Sequence, residues 1–213
     1  MSATSRGSLR SIPVEPLLRS SLRSSGQWTS RSSLRSSTQY FHEGSQTTRT
    51  MRDSDKKDLT VFLETKISSG IWKIEGRFKN TWVTRMFGIR SSNAISEQKH
   101  MWNCDECIAY DGAFGKIWHC HRSTSKLPTF SDGDVVGIEL NMDRKQRTLH
   151  FFVNDSQVRV AVVGIPPSVQ FGISFTAHAS SFDVLSFTRL RDETTKCLDD
   201  EVVIKWNATS SSG

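Results

Sequence analysis

The sequence predicts an all-β sandwich preceded by a disordered N-terminal segment. Several short runs between residues 59 and 190 alternate apolar with polar side chains, as half-buried β-strands do, and turn-forming residues separate these runs. The same range contains no convincing amphipathic pattern of helical length. Many short strands joined by turns are typical of two packed antiparallel sheets.

The centre of the predicted sheet is a meander. Apolar side chains alternate with polar ones over residues 136–142 and again over residues 149–153, and the polar stretch between the two runs suits a reversing loop. Asn154 and Asp155 form a second turn signal, because both residue types tolerate left-handed backbone angles. Alternation resumes over residues 158–162, which extends the predicted hairpin to three strands.

The remaining predicted strands precede and follow this meander along the chain. They are residues 60–63, 72–78, 82–90, 107–110, 114–120, 171–176 and 182–187. Residues 91–103 are polar without a clear period and predict a long surface loop. Within the meander, the alternation places Ile138 and Phe151 on the same interior face. Residues 191–213 are acidic and then apolar, and the sequence leaves open whether they form an extra strand or a short helix.

The N-terminal segment differs in composition from the rest of the chain. Residues 1–52 contain eight Arg, no Lys and two acidic residues, so they carry the net charge of +6, and the remainder has 20 basic and 20 acidic residues. Few large apolar side chains occur there, so burial cannot offset the entropy lost on ordering. We therefore expect residues 1–57 to be disordered.

This segment also contains a repeat. Ser-Leu-Arg-Ser occurs at residues 8–11, 21–24 and 33–36. One interpretation is a low-complexity tail without a specific partner. Another is a docking or phosphorylatable tail, because a kinase acting on the Arg-Ser steps would replace positive by negative charge. An Arg- and Ser-rich mitochondrial transit peptide has a similar composition and stays open as a third interpretation.

Composition also indicates where in the cell the protein is expected and whether its thiols are reduced. The first residues lack the apolar core of a signal peptide, and the longest apolar runs are far shorter than the roughly 20 residues needed to span a bilayer. Four cysteines in 213 residues are too few for a disulfide scaffold. We expect a single soluble domain in the cytoplasm, with a nuclear location also open, and with its thiols reduced.

Four segments resemble, in chain order, the pattern of the SPRY domain family. Residues 69–75 resemble its Gly-aromatic-Glu-Val strand, and residues 87–89 its Gly-Ile strand. The most specific match is Asp-Gly-Asp-Val-Val-Gly-Ile-Glu-Leu-Asn-Met-Asp at residues 132–143, and residues 149–154 resemble the following strand and turn. The chain departs from the pattern in its Asn-Asp turn, where the family has Asn-Gly, and in Pro-Ser at residues 167–168, where it has Tyr-Pro.

The resemblance covers about residues 58–190 and leaves residues 191–213 as a C-terminal extension. It implies a bent sandwich of two antiparallel sheets and a non-catalytic module that binds a short peptide or a protein partner through loops between strands. An adaptor or substrate-receptor role would fit. The alternative is a tail-driven binder of nucleic acid or anionic membrane with the sandwich as scaffold, but the tail lacks the interleaved aromatic residues of a specific nucleic-acid reader.

The partner site implied by the resemblance lies on loops at one end of the sandwich. The candidate residues are Arg90, Ser91, His100, Trp102, Tyr110 and His178. Polar neighbours favour exposure of Trp102 and Tyr110, and Arg90 suits a bidentate contact with a carboxylate. We therefore predict that Arg90, Trp102 and Tyr110 line one site, whereas Trp118 is expected in the core.

Other chemistries fit the sequence less well. Cys104, Cys107, His119 and His121 have spacings that a zinc site can use, but Cys107 and Cys120 suit small buried positions in paired strands, and no bound metal is expected. A lectin site would need a cluster of acidic and amide side chains. That cluster is Asp132, Asp134, Asn141 and Asp143, for which turn and capping roles are expected. No nucleophile elbow or phosphate-binding glycine loop occurs, so neither an enzyme nor a cofactor is predicted.

Overall fold

The structure is a computed structural model that describes residues 49–52, 59–94, 100–124, 126–175 and 180–206. Thirteen strands and a three-residue 3-10 helix, Met101–Asn103, occur in these ranges. The strands are β1 (Arg49–Arg52), β2 (Leu59–Phe62), β3 (Ile71–Lys79), β4 (Arg85–Ser91), β5 (Cys107–Asp111), β6 (Lys116–His119), β7 (Arg122–Ser123), β8 (Val135–Asn141), β9 (Thr148–Val153), β10 (Ser156–Val163), β11 (Val169–Phe175), β12 (Ser181–Leu190) and β13 (Val202–Lys205).

The strands form two sheets. The seven-stranded sheet has the order β1-β12-β3-β8-β9-β10-β13, and the six-stranded sheet has the order β2-β11-β4-β5-β6-β7. Neighbouring strands run antiparallel, except that β13 runs parallel to β10. The predicted all-β sandwich is therefore confirmed.

The core lies between the sheets, and the predicted meander supplies its centre. β8, β9 and β10 are neighbours in one sheet, as the alternation predicted. Ile138 lies directly opposite Phe151, and both side chains are buried in the same apolar cluster, which confirms that they share the interior face. The ring of Phe87, from the other sheet, meets the Phe151 ring edge to face at 5.5 Å and so joins the two layers.

Two local predictions require correction. The strand predicted over residues 82–90 begins only at Arg85, the first residue of β4, which pairs with Phe175 at the end of β11, so Trp82 and Val83 lie in the loop before the strand. Residues 91–103 were predicted to form a surface loop. Instead, Met101 in the 3-10 helix is buried against Met86 and Ala109.

The C-terminal extension contains the extra strand that the sequence left open. β13 pairs with β10, with Val160 opposite Val202 and Val163 opposite Lys205. Ile204 and Trp206 pack against the main core, so apolar burial holds the strand in place.

The predicted disordered segment, residues 1–57, lies outside the described residues except for Arg49–Arg52. These four residues form β1 and pair with β12 at the edge of the seven-stranded sheet, so the prediction does not hold for them. Within the described ranges, no helix is long and apolar enough to cross a membrane.

Candidate functional site

Three of the predicted site residues, Arg90, His100 and Trp102, lie on the outer face of the six-stranded sheet. We call this surface the aromatic platform and define it by Phe62, Arg90, His100, Trp102 and Trp118. The rings of His100 and Trp102 stack at 3.9 Å, and the Arg90 guanidinium lies 4.1 Å from the centre of the Phe62 ring. Phe62, Trp102 and Trp118 are half-buried around the same small apolar cluster, so one layer of side chains covers this face. Trp118, expected in the core, therefore lies on the opposite side of its sheet.

Arg90 is oriented by the sheet beneath it. Its Nε donates to Oε1 of Gln170 at 3.1 Å, and the Gln170 amide in turn donates to the Leu63 carbonyl at 2.8 Å. Partial burial lowers the pKa of the Arg90 guanidinium, which stays charged at any physiological pH. A fixed guanidinium beside aromatic rings suits a carboxylate or an aromatic ligand group.

Tyr110 and Ser91 do not belong to an exposed site. Tyr110 is fully buried, and its hydroxyl donates to the Pro128 carbonyl. The reason is the alternation of side chains along β5. Ile108 and Tyr110 point into the core between the sheets, whereas Ala109 and Asp111 lie on the other face of the six-stranded sheet, where they are also buried. Burial raises the pKa of the Tyr110 phenol. Ser91 is also buried, since β4 continues through it, and its backbone N–H donates to the Glu106 carbonyl at 2.9 Å. The predicted exposure of Tyr110 is therefore wrong, and neither side chain is presented on the surface.

The remaining candidate, His178, lies outside the described residues. The strand before it, β11, ends at Phe175, which pairs with Arg85 at the start of β4. Arg90 is at the far end of the same strand. Of the six candidates, the structure therefore brings together Arg90, His100 and Trp102.

A second surface was missed by the sequence analysis. We call it the loop-end patch and define it by Trp82, Val83 and Phe114. Their exposed fractions are 82%, 47% and 59%. Trp82 and Val83 precede β4, and Phe114 follows β5, so all three lie at the same end of two adjacent strands. The sequence offered a signal, because Asn80, a residue type that tolerates left-handed backbone angles, directly follows β3 and indicates a loop before β4. In the structure its φ is 55°.

Hydrogen bonds hold both loops of this patch. The Thr81 backbone N–H donates to the Asp132 carboxylate at 2.7 Å, and the Thr81 hydroxyl donates to the same carboxylate. The loops also contact each other, because the Gly112 N–H donates to the Arg85 carbonyl at 3.0 Å. The loop that bears Trp82 is thus tied to the motif that starts at Asp132.

The turn that carries Phe114 is organised by a buried carboxylate. Asp111 accepts from the backbone N–H groups of Ala113 at 3.0 Å and Phe114 at 3.4 Å, and from the Trp118 indole at 3.3 Å. Burial raises the pKa of Asp111, and these three donors oppose that shift. The turn closes at Gly115, whose φ is 58° and where a Cβ would come within 2.2 Å of the Leu127 carbonyl oxygen.

The cysteines differ from their predicted state. Cys104 and Cys107 form a disulfide, which the three-residue spacing permits because their Cα atoms lie 5.2 Å apart. Reduced thiols were predicted, so this pair is a correction. Cys120 is half-buried, and His121 pairs with Asp105 at 2.8 Å. Within the described ranges, no group of three or more potential ligands is placed to hold a metal ion.

Comparisons with known proteins concern the fold. No protein-family model matches the sequence, and no match is found among curated proteins. Among solved structures, the SPRY domain of human HERC1 is similar with a TM-score of 0.50 at 14% identity, covering 64% of this chain and 86% of that chain. A human SPRY domain is similar with a TM-score of 0.52 at 12% identity, covering 66% of this chain and 89% of that chain. The chain therefore has the fold of a SPRY domain.

Proposed function

We propose that this protein is a non-catalytic interaction module that binds a peptide or protein partner through the loop-end patch. The observation that carries the proposal is the exposure of Trp82, which is 82% accessible and lies beside Val83. Contiguous exposed apolar side chains often mark an interaction surface, whereas single ones are common on any protein. Tryptophan is also the residue type most enriched among the hot spots of protein interfaces.

The geometry of the patch favours binding without a large ordering cost. Asp132 and Asp111 fix the two loops by hydrogen bonds, so the backbone beneath Trp82 and Phe114 is already ordered. A preorganised surface loses less conformational entropy on association than a flexible one. Lys116 lies 5.7 Å from the Phe114 ring centre and supplies a cation at the rim, which favours a partner segment that combines apolar and acidic side chains.

The buried ionisable groups support a non-catalytic function. Asp111 organises a turn, and Glu139 accepts hydrogen bonds from the Thr194 backbone and hydroxyl. These carboxylates are engaged in holding the fold, whereas a general base needs a carboxylate that can reach a substrate.

The aromatic platform is a second candidate surface. It is favoured by the stacking of His100 on Trp102 and by the orientation of Arg90, the three predicted residues that share this face. Its residues are half-buried, whereas Trp82 and Phe114 are exposed. An exposed side chain has more area to bury on binding, so the loop-end patch ranks first.

The test compares single alanine variants of both surfaces. A partner is first captured with the intact chain by proximity labelling, and its affinity is then measured for Trp82→Ala, Phe114→Ala and Trp102→Ala. We expect Trp82→Ala to weaken binding about 30-fold, the effect of losing a hot spot worth about 2 kcal/mol. Leu185→Ala removes another exposed apolar side chain, from β12, and should bind like the wild type.

The outcomes separate the alternatives. Unchanged affinity of Trp82→Ala combined with a loss for Trp102→Ala would move the site to the aromatic platform. In the tail-driven alternative, Trp82→Ala binds normally, and replacing the six arginines at positions 6, 10, 19, 23, 31 and 35 by Gln abolishes binding to nucleic acid or anionic vesicles.

A further inference from the structure

The seven-stranded sheet ends at β13 with an open edge. β13 pairs with β10 on one side, and within the part of the chain that the structure describes no strand pairs with its other side. Its sequence, Val-Val-Ile-Lys, contains no proline and only one charge, so it lacks most of the devices that protect edge strands from pairing. Val202 and Val203 are 46% and 57% exposed.

The parallel pairing fixes which backbone groups point outwards. In a parallel ladder, alternate residues direct both the N–H and the C=O to the same neighbour. The Trp206 N–H donates to the Val163 carbonyl at 2.9 Å, so the even-numbered residues of β13 face β10. The odd-numbered residues 201, 203 and 205 therefore direct their backbone groups away from β10, toward the open edge.

This set of outward-facing residues is complementary to itself. In an antiparallel pair of two β13 strands centred on Val203, that residue faces its own copy, and Lys205 faces Glu201, the residue before the strand, whose carboxylate also accepts a hydrogen bond from Gln157 Nε2 at 3.3 Å and lies 3.9 Å from His150. The charged pair occurs twice because of the two-fold symmetry. Opposite charges at directly facing positions stabilise a strand pair. Shifting one strand by two residues in either direction loses this pairing.

The space beside β13 can accept a second strand. A groove of about 1120 Å³ lies between β13 and the β6–β7 hairpin of the other sheet, and its lining includes Val202, Ile204 and Trp206. In the register centred on Val203, Ile204 of one copy lies opposite Val202 of the other copy. The pairing would thus bury both exposed valines of each strand.

We propose that two copies of this chain associate antiparallel through the open edge of β13, with the two-fold axis at Val203, and join their seven-stranded sheets into one. A contact based on a four-residue strand is smaller than the interfaces of permanently dimeric proteins, so the dimer forms and dissociates with concentration. The surface is distinct from the loop-end patch and leaves Trp82 accessible in each copy.

The test uses the full chain and sedimentation equilibrium over a concentration series. The wild type is expected to shift from the 24.0 kDa monomer to twice that mass as concentration rises. Val203→Lys and Val203→Glu each place like charges face to face at the axis and should dimerise at least about tenfold more weakly. An equimolar mixture of the two variants should recover dimers, because Lys then faces Glu.

Each result decides for or against the proposal. Restored association in the mixture, with Leu185→Lys dimerising like the wild type, supports pairing at Val203. A wild type that stays monomeric to its solubility limit overturns the proposal, and that is the result expected if the edge takes up an extended peptide of another protein. Dimers that persist in both single variants, or a mixture that fails to associate while both variants keep the wild-type melting temperature, also overturn it.

Discussion

Phe151 and Phe114 are two phenylalanines with opposite surroundings, and they test the core directly. Phe151 is fully buried and touches the rings of Phe87 and Tyr110 at about 5.5 Å, whereas Phe114 is exposed. We expect Phe151→Ala to lower the free energy of unfolding by about 3–5 kcal/mol, because it removes apolar contacts and leaves a cavity. Phe114→Ala should change it by less than about 0.5 kcal/mol.

Urea denaturation at constant pH measures both changes, with Phe114→Ala as the matched control. Because an unfolding free energy of about 5–15 kcal/mol is typical, the Phe151 variant should lose a large share of its stability. Equal midpoints for the two variants would contradict the assignment of Phe151 to the interior.

Single residues also show where the sequence was sufficient to predict the burial of a side chain and where it was not. The alternation correctly assigned Ile138 and Phe151, because an extended strand has only two faces and one of them is covered. Tyr110 was misassigned because its polar neighbour, Asp111, suggested exposure. That carboxylate is itself buried by the turn it organises, and the phenol reaches the Pro128 carbonyl, 18 residues away. Such non-local partners leave no local pattern in the sequence.

At the level of elements, the segment between β12 and β13 is fastened to the outer face of the seven-stranded sheet. Glu139, almost fully buried, accepts hydrogen bonds from the backbone N–H groups of Thr194 at 2.9 Å and Thr195 at 3.4 Å. Gln157 and Lys196 exchange two hydrogen bonds of 2.8 Å each. These contacts explain why residues after Leu190 belong to the folded domain although they lack a strong hydrophobic pattern.

The same region contains a buried histidine that makes stability depend on pH. Burial lowers the pKa of His150, and the nearby Glu201 at 3.9 Å and Glu139 only partly oppose this shift. The unfolded chain therefore binds this proton more readily than the folded protein. The contribution of His150 to stability is complete above its unfolded pKa of about 6.5 and is lost as pH falls below that value. Burial lowers the pKa of His119 as well, so both histidines act in the same direction.

We predict that the free energy of unfolding decreases between about pH 6.5 and pH 5, before most carboxylates titrate. Urea denaturation across this range measures the slope, and His150→Gln, which cannot titrate, should have a shallower one. His119 remains in that variant and accounts for the residual slope. A slope unchanged by His150→Gln would show that its proton affinity is equal in the folded and unfolded states.

Element boundaries followed from the sequence only where local pattern determines them. β8, β9 and β10 were predicted because alternation and turn residues are both local. Trp82 was placed in a strand because it continues an apolar run, yet β4 starts where its neighbour β11 ends, at the pair Arg85 and Phe175. β13 stayed undecided for the same reason, since its partner β10 lies about 40 residues earlier in the chain.

In the whole molecule, residues 132–143, the most specific match to the SPRY pattern, hold loops of the sandwich in place. The Asp143 carboxylate accepts from the Gly70 N–H at 2.6 Å, and Asn141 accepts from the backbone of Asp143 at 3.1 Å. Asp132 holds the loop of Trp82 in the same way. These polar residues join loops that are distant in sequence, as the predicted turn and capping roles require. The motif therefore identifies the sandwich, and it also holds the loop on which the proposed partner site lies.

The boundary of the folded unit gives a prediction for the whole chain. Composition alone places the start of the domain near residue 58, but β1, Arg49–Arg52, pairs with β12 along Val184 to Ser181. A protease that removed β1 would strip an edge strand from the seven-stranded sheet. We therefore expect brief proteolysis of the intact protein to leave a stable fragment that retains residues 49–52. N-terminal sequencing of the stable fragment measures the boundary. A fragment that begins at residues 53–58 and melts like the intact chain would show that β1 contributes nothing to the stability of the sandwich.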